Sequence, residues 1–132
     1  VKVQKISAVT LLVRDMGKSC AFYSAIPGFR LVCGGISDSF TTYEIGESGK
    51  MYLNLELRSQ APIADFGRII FHTSNVDELY AFLKKNYISK LGSFENNPTN
   101  ASWGERFFHI RDPDGYQLSF AMPIKRITDI TQ

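Results

Sequence analysis

The stretch WGERFFHIRDPDGYQLSF, residues 103–120, alternates apolar and polar residues on either side of a turn. Successive side chains of a strand point to opposite faces. Phe108, Ile110, Leu118 and Phe120 therefore share one face, and Glu105, His109, Gln117 and Ser119 share the other. Between the two strands, DPDG has turn chemistry: Asp112 caps, Pro113 presets its φ and Gly115 admits positive φ. Asp112 and Asp114 are read as turn residues, because a tight turn between sheet strands is a poor place for catalytic carboxylates. The apolar face asks for a core behind it. The purpose of the polar face decides the function.

Working outward, two helices can be read. One follows Asp15, with Met16, Ser19, Cys20, Tyr23 and Ile26 at helical spacing and Pro27-Gly28 as its stop. The other follows Asn75, with Glu78 placed for a capping box, Asp77 in the first turn and Lys84-Lys85 at the end. Its apolar stripe is Val76, Leu79, Tyr80 and Leu83. The two caps lie 60 residues apart, and at the same offset AVTLLVRDM (8–16) aligns with RIIFHTSNV (68–76) and Phe22 with Phe82. GKMYLNLEL (49–57) resembles DGYQLSFAM (114–122). The order is strand, helix and three strands, twice. The reading is an α+β fold in which two tandem βαβββ modules, about 1–60 and 66–123, form curved mixed sheets around a cleft with the helices outside. The linker SQAPIAD (59–65), with Pro62, joins them in a single domain spanning 1–132.

Composition agrees with one domain: 132 residues, 44% hydrophobic and 13% aromatic, are enough for a core. A net charge of +2 with interspersed signs argues against a nucleic-acid partner, and Lys125-Arg126 reads as a solvated tail. No apolar run of membrane-spanning length occurs, so no membrane partner is expected. The start, VKVQKISAVT, lacks a secretory pattern, although a first residue of Val leaves a processed start open. Cys20 and Cys33 have no metal-type spacing, and Cys20 lies on the apolar helix face, which points to a reduced, cytoplasmic protein.

Alternation then sorts the remaining strands. Val9, Leu11, Val13, Leu53, Leu55, Leu57, Ile69 and Phe71 go to the helix side. The opposite face collects Ala8, Thr10, Leu12, Asn54, Glu56, Arg68, Ile70, His72, Trp103, Glu105, Phe107, His109 and Ser119. A mixed polar and aromatic face of this kind suits a small-molecule site.

Three segments, VTLLVRDMGKSCAFYSAIPGFRLV (9–32), FGRIIFHTSNVDELYAFL (66–83) and WGERFFHIRDPDGYQLSF (103–120), resemble in their order the vicinal oxygen chelate superfamily. This superfamily includes glyoxalase I, ring-cleaving dioxygenases, fosfomycin-resistance enzymes and bleomycin-resistance proteins. The resemblance implies paired βαβββ modules, usually within a homodimer. It also implies a concave face on which metal-dependent members place four His or Glu ligands. Carried over, those positions fall on Ala8, Arg68, Ser119 and Asn54, or on Glu56 if the register slips by two. None of the first four is a good ligand for a divalent metal: Ala8 has no donor, Arg68 is a permanent cation, and Ser119 and Asn54 are weak beside imidazole or carboxylate. No metal or other cofactor is expected.

The expected function is the binding of a small organic molecule, with sequestration of a toxic compound as one form. Candidate ligand-binding residues are Asn54, Glu56, Arg68, His72, Trp103, Glu105, Phe107, His109 and Ser119. Arg68 serves either as an anion anchor or in an ion pair with Glu56 or Glu105. Trp103 and Phe107 are either a stacking platform or packing residues, and Phe40 has the same ambiguity. The loop SFENNPTNAS (93–102) is either a flap or a solvated connection. The competing reading is a lyase, isomerase or dioxygenase-like enzyme. It would use a displaced metal site at His72, His109 and Glu56, or metal-free acid–base catalysis by a histidine.

Overall fold

The computed structural model describes residues 1–47, 51–61, 65–86 and 88–124. Pro62 of the linker, Gly49-Lys50 of the aligned segment and the Lys125-Arg126 tail lie outside the described residues. The chain divides into two units, Val1–Ile63 and Ala64–Gln132.

The first unit runs β1 (Ala8–Val13), α1 (Met16–Ser24), β2 (Phe29–Cys33), β3 (Phe40–Ile45) and β4 (Met51–Leu57). Its sheet has the order β1-β4-β3-β2, parallel between β1 and β4 and otherwise antiparallel. Helix α1 begins where Asp15 accepts a hydrogen bond from Lys18 N at 3.0 Å, as an N-cap should. It packs on β2 and β4. Leu11, Val13, Cys20, Phe22, Tyr23, Ile26, Leu53 and Leu55 are buried there, so the alternation and the helical stripe meet in one core. Leu57, on the same side, is exposed at the strand end. Tyr43 is fully buried; its hydroxyl bonds Ser24 Oγ at 2.8 Å and donates to the Cys20 carbonyl at 3.2 Å. Burial pushes this phenol up to about 12.

The second unit repeats the plan with an elaboration. It runs β5 (Arg68–His72), α2 (Val76–Lys85), α3 (Ile88–Leu91), β6 (Ser93–Phe94), β7 (Thr99–Asn100), β8 (Glu105–Arg111) and β9 (Gln117–Pro123). The sheet order is β5-β9-β8-β6, with β7 also on β8. Again the first strand is parallel to the last, and β8 and β9 are antiparallel. The expected capping box is half formed: Glu78 N donates to Asn75 Oδ1 at 3.0 Å, but Glu78 Oε2 accepts from the Asn75 side-chain Nδ2 at 3.3 Å, and the Asn75 backbone N–H turns to Thr73 Oγ1 at 3.5 Å instead. Val76 and Leu83 are buried under α2, with Phe108, Ile110, Leu118 and Phe120 from the sheet. The Phe108 and Phe120 rings stack at 5.3 Å, and Tyr80 meets Phe108 edge-on at 5.3 Å. Phe82, aligned with the fully buried Phe22, is 46% exposed, so the repeat holds in topology but not at that side chain.

The segment 93–102 is neither a flap nor a free connection. Its ends pair with β8 as β6 and β7. Between them, Glu95 N donates to the His109 carbonyl at 3.0 Å, and His109 N donates to Asn96 Oδ1 at 2.8 Å. An asparagine side chain thus stands in for a ladder acceptor across an irregular stretch. The DPDG turn is built as read: Asp112 Oδ1 accepts from Asp114 N and Tyr116 N, both at 2.9 Å, and Gly115 has φ +93°.

The registers relate the two units position by position. Thr10 sits opposite Asn54 as Ile70 sits opposite Ser119, and Ala8 opposite Tyr52 as Arg68 opposite Gln117. Asn54, not Glu56, is therefore the first-unit counterpart of Ser119.

Candidate functional site

The sheet face away from α2 is ordered in rows across three strands of the second unit. Arg68, Gln117 and Arg111 form one row, Ile70, Ser119 and His109 the next, and His72, Ala121 and Phe107 the third. The central strand, β9, contributes the small residues Ser119 and Ala121, while β5 and β8 contribute large ones. That size pattern opens a hollow with Ser119 and Ala121 as its floor, 3% and 2% exposed. Arg68, Ile70, Trp103, Glu105, Phe107 and His109 form its sides, around a volume of about 50 Å³. Six of the nine residues expected from the sequence therefore line one hollow: Arg68, Trp103, Glu105, Phe107, His109 and Ser119. A seventh, His72, touches it through Glu105, with Nε2 3.4 Å from Oε2. Ile70 and Ala121 complete the lining. Ile70 was on the expected face, and Ala121 follows from the same alternation as Ser119, two residues on.

Trp103 does not begin the strand, as the alternation suggested. It sits in a turn in which Gly104 N donates to the Ala101 carbonyl at 3.2 Å, and Gly104 has φ +91°. A glycine suits that geometry, and the turn ends where β8 begins. The indole stays over the same face because its Nε1 donates to Glu105 Oε1 at 2.9 Å and its ring stacks on Phe107 at 5.9 Å. Phe107 in turn meets the His109 ring at 4.8 Å. Trp103 is 65% exposed, an unusual state for so large an aromatic surface.

The charges beside the hollow form a chain. Arg68 Nε donates to Gln117 Oε1 at 2.8 Å, and Gln117 Nε2 donates to Glu95 Oε1 at 2.7 Å. Glu95 also pairs with Arg111 Nε at 3.2 Å. The hydrogen bond from Gln117, with Arg111 nearby, holds the Glu95 carboxyl below its usual range. Neither ion pair considered for Arg68 is needed to hold it, because the Gln117 amide orients it instead. His109 titrates below its ordinary value, first because it is buried and then because the Arg68 charge opposes protonation. Its Nδ1 is buried with no hydrogen-bond partner among the described residues.

In the first unit, Asn54 and Glu56 lie on the corresponding face of β4, engaged by neighbours. Asn54 accepts from Thr42 Oγ1 at 2.8 Å and donates to Thr10 Oγ1 at 3.2 Å, while Glu56 accepts from Arg58 Nε at 2.8 Å. Phe40, opposite Glu56, is exposed on this sheet. An open depression of about 570 Å³ lies beside Leu12, Leu57, Arg58, Ser59, Gln60 and Ala61.

The positions at which metal-dependent relatives carry ligands do not fit a divalent metal in this chain. Arg68 brings a cation, Ser119 a neutral hydroxyl, Asn54 an amide and Ala8 nothing. Among the described residues, no three His, Cys, Asp or Glu side chains gather into a group able to hold a metal ion. His72 is placed beside Glu105, whereas His109 lies against Phe107.

Similarities to known proteins agree with this architecture. A structure of a superfamily member from Sphaerobacter thermophilus DSM 20745 superposes with TM-score 0.69 at 25% identity, covering 90% of this chain and 97% of that one. The bleomycin resistance determinant encoded on the transposon Tn5 gives TM-score 0.69 at 19% identity, over 91% and 98%. A glyoxalase/bleomycin resistance protein/dioxygenase from Nocardioides gives 0.71 at 18%, over 95% and 87%. Comparison with curated proteins gives no match. A family model matches residues 5–120, and the chain belongs to the Glyoxalase/Bleomycin resistance protein/Dioxygenase superfamily.

Proposed function

We propose that the protein binds a small, planar organic molecule on the hollow-bearing face of its second unit, without a catalytic metal, as a cytoplasmic homodimer. Sequestration of a toxic compound is the form this takes when no reaction follows. The observation that carries the reading is the aromatic ladder beside the hollow, in which the exposed Trp103 ring stacks on the half-buried Phe107 and Phe107 meets the half-buried His109. Apolar contact area with a few placed polar groups is what a small-ligand site needs.

Trp103 is the one tryptophan of the chain, so intrinsic fluorescence reports on this face directly. Titration with a panel of planar aromatic compounds should quench or shift its emission and raise the melting temperature. Trp103→Ala should weaken that binding by roughly tenfold or more, in line with the ~0.5–1.5 kcal/mol of an aromatic pair plus lost contact area. A panel that changes neither emission nor melting temperature sinks the reading. Light scattering should give twice the 14.9 kDa chain mass.

A further inference from the structure

We propose that the hollow receives the anionic head of a planar organic acid: Arg68 takes the carboxylate, and Trp103 with Phe107 carries the ring. This deepens the binding reading above and rests on it.

The first argument is charge. Among the described residues of the second unit, Arg106 is paired with Asp77 at 2.8 Å, and Arg111 with Glu95 at 3.2 Å and Asp65 at 3.6 Å. The acids are occupied too: Glu95 by Arg111 and Gln117, and Glu105 by Trp103 Nε1 and His72. Arg68 is the described arginine here with no carboxylate partner. Gln117 holds its Nε at 2.8 Å, leaving the terminal nitrogens of the fork for a ligand. A guanidinium fork matches a carboxylate in bidentate geometry.

The second argument is size. The partly open hollow's volume of about 50 Å³ exceeds the ~30 Å³ share of one water. It suits a carboxylate head and not a whole drug-sized ligand. The rest of the molecule must lie outside, where Trp103 is 65% exposed. The third argument is reach. The Arg68 charge is felt at His109, on the far side of the hollow, where it opposes protonation. Beside Arg68 a cationic head is therefore disfavoured and an anionic one favoured, while the Glu105 carboxylate lines the Trp103 side of the hollow.

The test compares benzoate, benzamide and benzylamine on the full chain by Trp103 fluorescence and calorimetry, with wild type, Arg68→Gln and Arg68→Lys. Benzoate is expected to bind at least tenfold more tightly than benzamide, with benzylamine weakest. The preference should vanish in Arg68→Gln and persist, reduced, in Arg68→Lys, which keeps the charge but loses the fork. Benzamide or benzylamine binding as tightly as benzoate overturns the anion assignment while leaving the binding reading standing. So does a tenfold benzoate preference retained in an Arg68→Gln protein of unchanged melting temperature. If none of the three probes perturbs Trp103 or gives heat, the assignment and the binding reading fall together.

Discussion

His109 shows how one residue ties the sheet to the chemistry of its surface. Its backbone is fixed by Glu95 and Asn96, its ring rests on Phe107, and its Nδ1 is buried without a hydrogen-bond partner among the described residues. Burial and Arg68 lower its pKa, Glu95 raises it, and Arg111 adds to the lowering. The unfolded chain therefore binds the proton first as pH falls from the ordinary 6.5 toward the lower folded value. Stability is lost across that window. Urea denaturation from pH 8 to 5 should show the midpoint falling below pH 6.5, and His109→Gln should remove that part of the slope. A slope unchanged in the variant would assign the titration elsewhere. Asp77 and Glu95, both held low by their partners, give a separate loss only at more acidic pH, below their ordinary carboxyl values.

At the level of elements, short local signals set the boundaries and long-range pairing set the sheets. Asp15 and Asn75 start the two helices by direct side-chain capping. Asn75→Ala removes the N-cap acceptor for Glu78 N and the side-chain bond to Glu78 Oε2, and should cost about 1 kcal/mol, read as a lower urea midpoint at unchanged slope. Phe108→Ala removes a fully buried ring that touches Phe120, Tyr80 and Phe94. It should cost about 3–5 kcal/mol. Were Phe108→Ala no worse than Asn75→Ala, the core assigned to this sheet would be wrong. The 93–102 segment was harder to read because its two strands hold only two residues each. Alternation needs four or more residues to show. Asn96 supplies its ladder acceptor from a side chain, which no periodicity records.

At the scale of the whole molecule, the duplicated plan places chemically different residues at equivalent positions. Ala8 and Arg68 are register equivalents, as are Asn54 and Ser119. The resemblance places the superfamily's metal ligands, His or Glu, at these four positions, where this chain carries Ala8, Arg68, Asn54 and Ser119. Titration with Ni²⁺, Zn²⁺, Fe²⁺ or Mn²⁺ should leave the melting temperature unmoved. Near-stoichiometric binding lost in His72→Ala or His109→Ala would restore the metal-enzyme reading.

The sequence by itself determined which residues share a face and where the helices begin, because both depend on spacing along the chain; the family entered through the resemblance of three segments and a family model over residues 5–120. It also identified most of the hollow, since Arg68, Trp103, Glu105, Phe107, His109 and Ser119 share the parity of their strands. Only the tertiary structure decided that Ser119 and Ala121 form a floor between larger neighbours, because depth depends on which strands lie side by side. It also showed that Gln117 holds Arg68 Nε. Parity places a charge on a face, but strand register and side-chain reach choose its partner.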